Sequence, residues 1–248
     1  MNYIVNIIGI GEVGKIALDN LNEKDYEIIS KQVNQTTVIN GGKIKVEKNT
    51  QTIRKVYYDE STIINSNENT WFNFIVYDNK DKDIASSIAE KIENVEFLNI
   101  GICINGNDDI PKIKVLKTNI EDASDVILNM LQPILNLLSM VGYDVYDIQE
   151  FLNTNSKYEI IHFNDIDQKD NVIRAFDKYS NMSIEVMPIL STITYWPLAK
   201  QSDFLKKIWN LKCVDTSEAR WLLYFTDYIN KDMLTIIVKI KHSNQLNR

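Results

Sequence analysis

Glycines at positions 9, 11 and 14 follow an apolar run and precede a stretch with helical spacing, giving Gly9-Ile10-Gly11-Glu12-Val13-Gly14 between a strand and a helix. Such a turn suits phosphate. Without Cβ atoms a ligand can reach the backbone, and the first turn of the helix offers unpaired N–H groups with partial positive charge. Gly9, Gly11, Glu12, Val13 and Gly14 are therefore the candidate nucleotide-binding residues. The same spacing also serves a tight strand-to-helix turn that holds no ligand. A nicotinamide dinucleotide would need an acid about 20 positions further on to hold its ribose. Ser30, Lys31 and Gln32 stand there instead, which makes an NAD(P)-binding oxidoreductase or regulator the weaker alternative.

Other common chemistries find little support. The chain has two histidines, His162 and His242, and neither lies at a zinc-ligand spacing or beside a nucleophile motif. His162 sits in an apolar stretch and is expected to be a strand residue. Cys103 and Cys213 lie in apolar surroundings and read as buried free thiols. No metal site is expected, and a magnesium ion bridging Asp78 to a phosphate is the disfavoured arrangement. A net charge of −7 argues against nucleic acid as a partner. The longest apolar tract, 126–141, is too short for a membrane span and is interrupted by polar residues and Pro133. The beginning of the chain reads as a strand rather than a secretory leader, so a cytoplasmic location is the expectation.

The elements that must position the turn follow from periodicity. Residues 3–10 read as a buried strand, 15–21 as a helix with Ile16, Ala17 and Leu21 inward, and 26–33 as a second strand. Residues 36–58, rich in Val, Ile and Thr around Gly41-Gly42, read as a hairpin. A strand at 72–77, a helix at 84–92 with Ile84, Ile88 and Ile92 inward, and strands at 97–104 and 112–117 complete an α/β alternation. A long helix at 121–140 is apolar around much of its circumference and should be buried. Beyond it come a short helix within 143–152, strands at 158–163 and 182–194, helices at 172–178 and 204–209, and a closing hairpin of 221–228 with 233–241. Pro188 argues for an edge or a bulge in its strand. Tyr195-Trp196-Pro197-Leu198 could dock a partner, although core packing explains it more simply.

Taken together, the order of elements resembles the FtsZ/tubulin family. The family's turn G-V-G-G-x-G-G-N-A is similar to Gly9-Ile10-Gly11-Glu12-Val13-Gly14-Lys15-Ile16-Ala17. Its central-helix start, A-N-D-V-L, resembles Ala123-Ser124-Asp125-Val126-Ile127. The loop N-x-D-x-x-D-V resembles Gly142-Tyr143-Asp144-Val145-Tyr146-Asp147-Ile148, and the closing V-T-V-I-A strand resembles Leu234-Thr235-Ile236-Ile237-Val238. The resemblance implies a Rossmann-type N-terminal sheet over 1–119, a central helix with its acidic loop over 120–152, and a smaller α+β domain over 153–248. It also implies GTP or GDP as the ligand and a second copy, or a related FtsZ/tubulin-like subunit, as the partner. Subunits of the family stack head to tail, so Asp144 and Asp147 would be the catalytic acids positioning water, and Asp125 would contact guanine.

One stretch departs from that pattern. The family signature G-G-G-T-G-T-G is replaced by Asp78-Asn79-Lys80-Asp81-Lys82-Asp83, without a glycine. Unit charges about 6 Å apart repel by roughly 1–3 kcal/mol at intermediate dielectric, so uncompensated carboxylates would weaken phosphate binding at least ten-fold. Asp83 is also suited to cap the helix that follows. The family's second glycine-bearing phosphate loop has no counterpart between Gly42 and Trp71, and Gly142 stands where the family's loop has Asn. The expectation is a non-catalytic or weakly nucleotide-binding structural module, filament-associated or self-assembling. An active GTPase forming cytoskeletal filaments is the alternative.

Overall fold

Residues 2–21, 36–40, 43–47, 50–59, 70–92, 95–106, 109–135, 145–164, 169–193, 198–217, 219–225 and 231–241 are described by a computed structural model. The chain is mixed α/β and divides into two compact units, one of residues 1–127 with 135–137, the other of 128–134 with 138–248.

The first unit is built around apolar runs, rich in isoleucine and buried on both faces at 5–10, 70–77 and 99–104, the signature of inner parallel strands. β1 (Asn2–Ile10) runs parallel to β4 (Thr50–Tyr58) on one side and to β5 (Thr70–Asp78) on the other. β6 (Val95–Ile104) and β7 (Lys114–Thr118) extend the sheet, giving the parallel order β4-β1-β5-β6-β7. β5, in the middle, is buried at every position but its last. α1 (Gly11–Asn20) follows β1, and α2 (Lys82–Lys91) follows β5 after a single 3-10 turn at Asn79–Asp81. On one face of the sheet Ile8, Ile10, Ile75, Tyr77 and Cys103 pack against Ala85, Ile88, Ala89 and Ile92 of α2 and the residue after it.

Two inward faces differ from expectation. α1 buries Gly14, Ala17 and Leu18, with Leu21 just beyond it, while Ile16 is exposed. α2 buries Ala85, Ile88 and Ala89, and Ile84 is exposed. Both helices begin earlier than expected, at Gly11 and Lys82, and small residues (Gly14 in α1, Ala85 and Ala89 in α2) share the buried face from which Ile16 and Ile84 are turned away. Asp83 consequently falls inside the first turn of α2 rather than at its cap.

β2 (Thr36–Asn40) and β3 (Lys43–Glu47) form the antiparallel pair expected around Gly41-Gly42. Residues 50–58 leave that hairpin and pair with β1 instead. The strand expected at 26–33, Gly41-Gly42 themselves, His242 and residues 195–197 lie outside the described residues.

Across β1, β5 and β6 the register aligns Asn6, Asn73 and Asn99 side by side. Asn6 Nδ2 donates to Asn73 Oδ1 (2.8 Å), and Asn73 Nδ2 donates to Asn99 Oδ1 (2.9 Å). All three are buried, so each amide satisfies polar groups that would otherwise face an apolar core.

α3 (Ile120–Leu135) starts in the first unit and continues into the second. Asn119 caps it: Oδ1 accepts from the Asp122 backbone N–H at 2.8 Å. Burial covers much of its circumference, with Val126, Ile127, Met130, Leu131, Asn129 and Gln132 buried, while Glu121 is exposed and Asp122, Asp125 and Leu128 are half-buried.

In the second unit β8 (Lys157–Phe163) and β9 (Ile184–Thr192) flank β11 (Met233–Ile240), which is antiparallel to both. β10 (Leu222–Phe225) pairs parallel with β9. β10 and β11 are therefore not the expected hairpin; β9 lies between them. The edge or bulge expected from Pro188 is not what forms: β9 is an interior strand in which Pro188 stands opposite Ile236 of β11 in unbroken register, and its missing N–H falls one residue before the β10 pairing begins at Ile189. α4 (Val145–Leu152), α5 (Lys169–Arg174) and α6 (Leu198–Trp209) complete the unit. One core joins Val172, Phe176, Phe204, Leu205 and Ile208 to Val186, Leu190, Leu234, Ile236 and Val238.

On the other face of that sheet Asn129 Nδ2 donates to the Ile189 carbonyl (3.0 Å) and to Thr235 Oγ1 (2.8 Å), while Ser191 Oγ donates to Asn129 Oδ1. Thr235 Oγ1 in turn lies 2.9 Å from His162 Nδ1. His162 is a strand residue held in a structural network, as its apolar setting suggested. At the far end of the strands Lys239 and Lys241 bind Glu185 (2.8 and 2.7 Å), and Lys241 also binds Asp215. Desolvation works to raise the Glu185 carboxyl, but the two lysines outweigh it and hold it below its usual range. Hydrogen bonds from Lys241 and Ser217 bring Asp215 down to about 2. Cys103 and Cys213 are buried free thiols.

Candidate functional site

In parallel α/β sheets ligands gather beyond the carboxyl ends of the strands. In the first unit that region holds the turn from Gly9 to Gly14 after β1 and the 3-10 turn Asn79–Asp81 after β5. α1 has Ile10 at its N-cap, which supplies no side-chain hydrogen bond.

Each glycine has a local reason. A Cβ on Gly9 would lie 2.6 Å from the Gly14 carbonyl oxygen, and one on Gly14 would lie 2.6 Å from the Gly9 carbonyl carbon and 2.8 Å from the Val76 carbonyl oxygen. These two residues let α1 press against β1 and β5, backbone to backbone. Gly11 has φ +63°, the left-handed region that favours glycine. A Cβ there would also meet Asp81 Oδ2 at 2.6 Å. The turn is thus accounted for by packing and by a neighbouring carboxylate.

Asp81 is the feature that motif reading left undifferentiated within an acidic stretch. It precedes the first residue of α2 yet makes no side-chain cap bond to that helix. Its carboxylate reaches across to Gly11 instead. Oδ2 is buried and, among the described residues, has no hydrogen-bond partner. Partial positive charge at the start of α1 favours an anion there by about 0.3–1 kcal/mol. The carboxylate is therefore a resident anion against the second glycine, the one a phosphate cradle keeps bare for its ligand.

The remaining expected site residues are distributed as follows. Glu12 is exposed and Val13 half-buried in the first turn of α1. Asp125 is half-buried on α3, next to Ser124, whose Oγ donates to the Ala17 carbonyl of α1 at 2.8 Å. That bond places the start of α3 against α1. Asp147 is half-buried in the first turn of α4, within the second unit, and Asp144 lies outside the described residues. The structure brings Gly9, Gly11 and Gly14 together with Asp81, and sets Asp125 one residue from an α1 contact.

Among the described residues no group of three or more His, Cys, Asp and Glu side chains could hold a metal ion. No helix among them is long and apolar enough to cross a membrane. No family model matches the chain, and no curated protein matches it in sequence.

Proposed function

We propose that this chain is a divergent relative of the FtsZ/tubulin proteins, non-catalytic or at most weakly nucleotide-binding, that serves as a structural or filament-associated self-assembly module. The observation that carries this reading is the Asp81 carboxylate seated against Gly11 at the start of α1. A fixed negative charge about 5 Å from a bound phosphate would cost roughly 3 kcal/mol at an effective dielectric of 20. Supporting it is the order of parts: strand, glycine turn and helix; a parallel sheet; a long helix capped by Asn119; then a short acidic-start helix and a mixed sheet. The partner is a second copy of the chain or a related subunit.

Sedimentation velocity of the purified protein across a wide concentration range, with and without GTP and magnesium, tests the proposal. Concentration-dependent association that GTP leaves unchanged is expected. A monomer at every concentration would remove the assembly role, and GTP turnover lost in Asp147→Ala would replace it with an active GTPase.

A further inference from the structure

We infer that His162 is the solvent-side end of a one-way hydrogen-bond chain that seats α3 on the sheet of the second unit, and that protonating this histidine loosens the seat. The inference concerns another part of the molecule than the glycine turn and stands apart from the assembly reading.

The direction of the chain follows from one backbone carbonyl. The Ile189 carbonyl can only accept, so the Asn129 atom 3.0 Å from it must be the amide nitrogen. The other Asn129 amide hydrogen then goes to Thr235 Oγ1 at 2.8 Å, and Asn129 Oδ1 accepts from Ser191 Oγ. Thr235 is left with one hydroxyl hydrogen and, among the described residues, one acceptor for it, His162 Nδ1 at 2.9 Å. Nδ1 must therefore be bare. The ring proton belongs on Nε2, where Asn164 Oδ1 accepts at 3.0 Å. Asn129, Ser191 and Thr235 are completely buried and His162 is half-buried. Only the histidine can change its charge near neutral pH.

A second ring proton would have to sit on Nδ1. Thr235 Oγ1 could accept it only by turning its own hydrogen away, which orphans a buried hydroxyl donor. Titratable groups on the surrounding elements of the unit have places of their own. Residues 128–134 of α3 carry no charge. On β8, Glu159 lies on the opposite face and binds Lys178 and Tyr179, while Tyr158 donates to the Phe151 carbonyl. Lys239, with Glu185 and Lys241, stands four residues along β11 from Thr235, about 13 Å away. Asp232 accepts from the Ile193 N–H just before β11, and of the α4 acids Asp147 lies in the first turn and Glu150 binds Arg220.

The folded chain thus favours neutral His162 and binds fewer protons than the unfolded one. Stability is complete above the ordinary histidine value of about 6.5 and is lost as pH falls below it.

Nitrogen-15 NMR of His242→Asn, in which His162 is the one histidine left, reads the tautomer directly. Nδ1 is expected bare and Nε2 protonated, with a titration midpoint below about 6.5. Urea unfolding then compares that chain with one also carrying His162→Asn, whose Oδ1 can accept from Thr235 but cannot gain charge. Between about pH 7.5 and about pH 5.5 the chain with His162 should lose at least about three-fold more of its folding constant. Hydrogen exchange of peptides covering 128–135 should rise in the same window. A proton on Nδ1, a midpoint at or above about 6.5, or the same pH dependence in both chains would overturn the inference. The spectrum requires no change within the network, so it decides the matter even where His162→Asn does not fold.

Discussion

Gly14→Ala is expected to destabilise the first unit by about 3 kcal/mol, near the top of the usual range for overpacking. The added methyl group would stand 2.6 Å from the Gly9 carbonyl carbon, 2.7 Å from Gly9 Cα and 2.8 Å from the Val76 carbonyl oxygen. All three are backbone atoms in adjoining strands of a parallel sheet, so no side chain can swing aside. Relief requires α1 to lift from β1 and β5, which would expose Ala17 and Leu18, both completely buried now. Hydrogen exchange of peptides covering β1 and α1 would read the effect locally. Gly9→Ala should behave similarly, and the double variant should cost less than the sum, because the two glycines meet each other. Wild-type protection in Gly14→Ala would show that the helix does not press on the strands as described.

The second large effect lies at the asparagine ladder. Asn73→Leu is expected to cost about 4 kcal/mol, because it orphans the Asn6 amide donor and the Asn99 amide acceptor together, each worth roughly 1–3 kcal/mol. The informative comparison is the triple replacement of Asn6, Asn73 and Asn99 by leucine. Removing every partner leaves no desolvated group behind, so the triple variant should be markedly more stable than Asn73→Leu alone. Urea unfolding followed by backbone circular dichroism would rank them. A triple variant less stable than the single one would mean that the ladder contributes net binding energy rather than mutual satisfaction.

Much of the local structure was legible because it is periodic. The apolar run before Gly9 reads as a strand, and the helical spacing after it reads as a helix. The inward faces were harder for a physical reason. In α1 the buried stripe is Gly14, Ala17 and Leu18, followed by Leu21, and its first member carries no hydrophobic signal. In α2 the stripe includes Ala85 and Ala89, so the bulkier Ile84 draws attention to the wrong face. Pairing over distance was not legible at all. Asn6 and Asn73 are 67 residues apart, and asparagine alone suggests turns rather than buried strands. The expected hairpin between β10 and β11 failed similarly, because their short separation gives no hint that β9 inserts between them.

The candidate site was legible in outline. The glycine spacing marked the turn, and the acids from Asp78 to Asp83 marked a conflict with phosphate. Sequence could not say which acid reaches the turn. Asp83 looked like the cap, but the helix begins at Lys82 and the side chain facing Gly11 belongs to Asp81. A single 3-10 turn decides that phase, and such turns leave no periodic trace.

Calorimetric titration of the wild-type chain with GTP and magnesium tests the central claim, that the glycine turn is shaped by backbone packing and faces the chain's own carboxylate rather than a nucleotide. The account predicts no saturable binding tighter than about 1 mM, equivalent to roughly 4 kcal/mol. A dissociation constant near 1 μM, equivalent to about 8 kcal/mol, would contradict it.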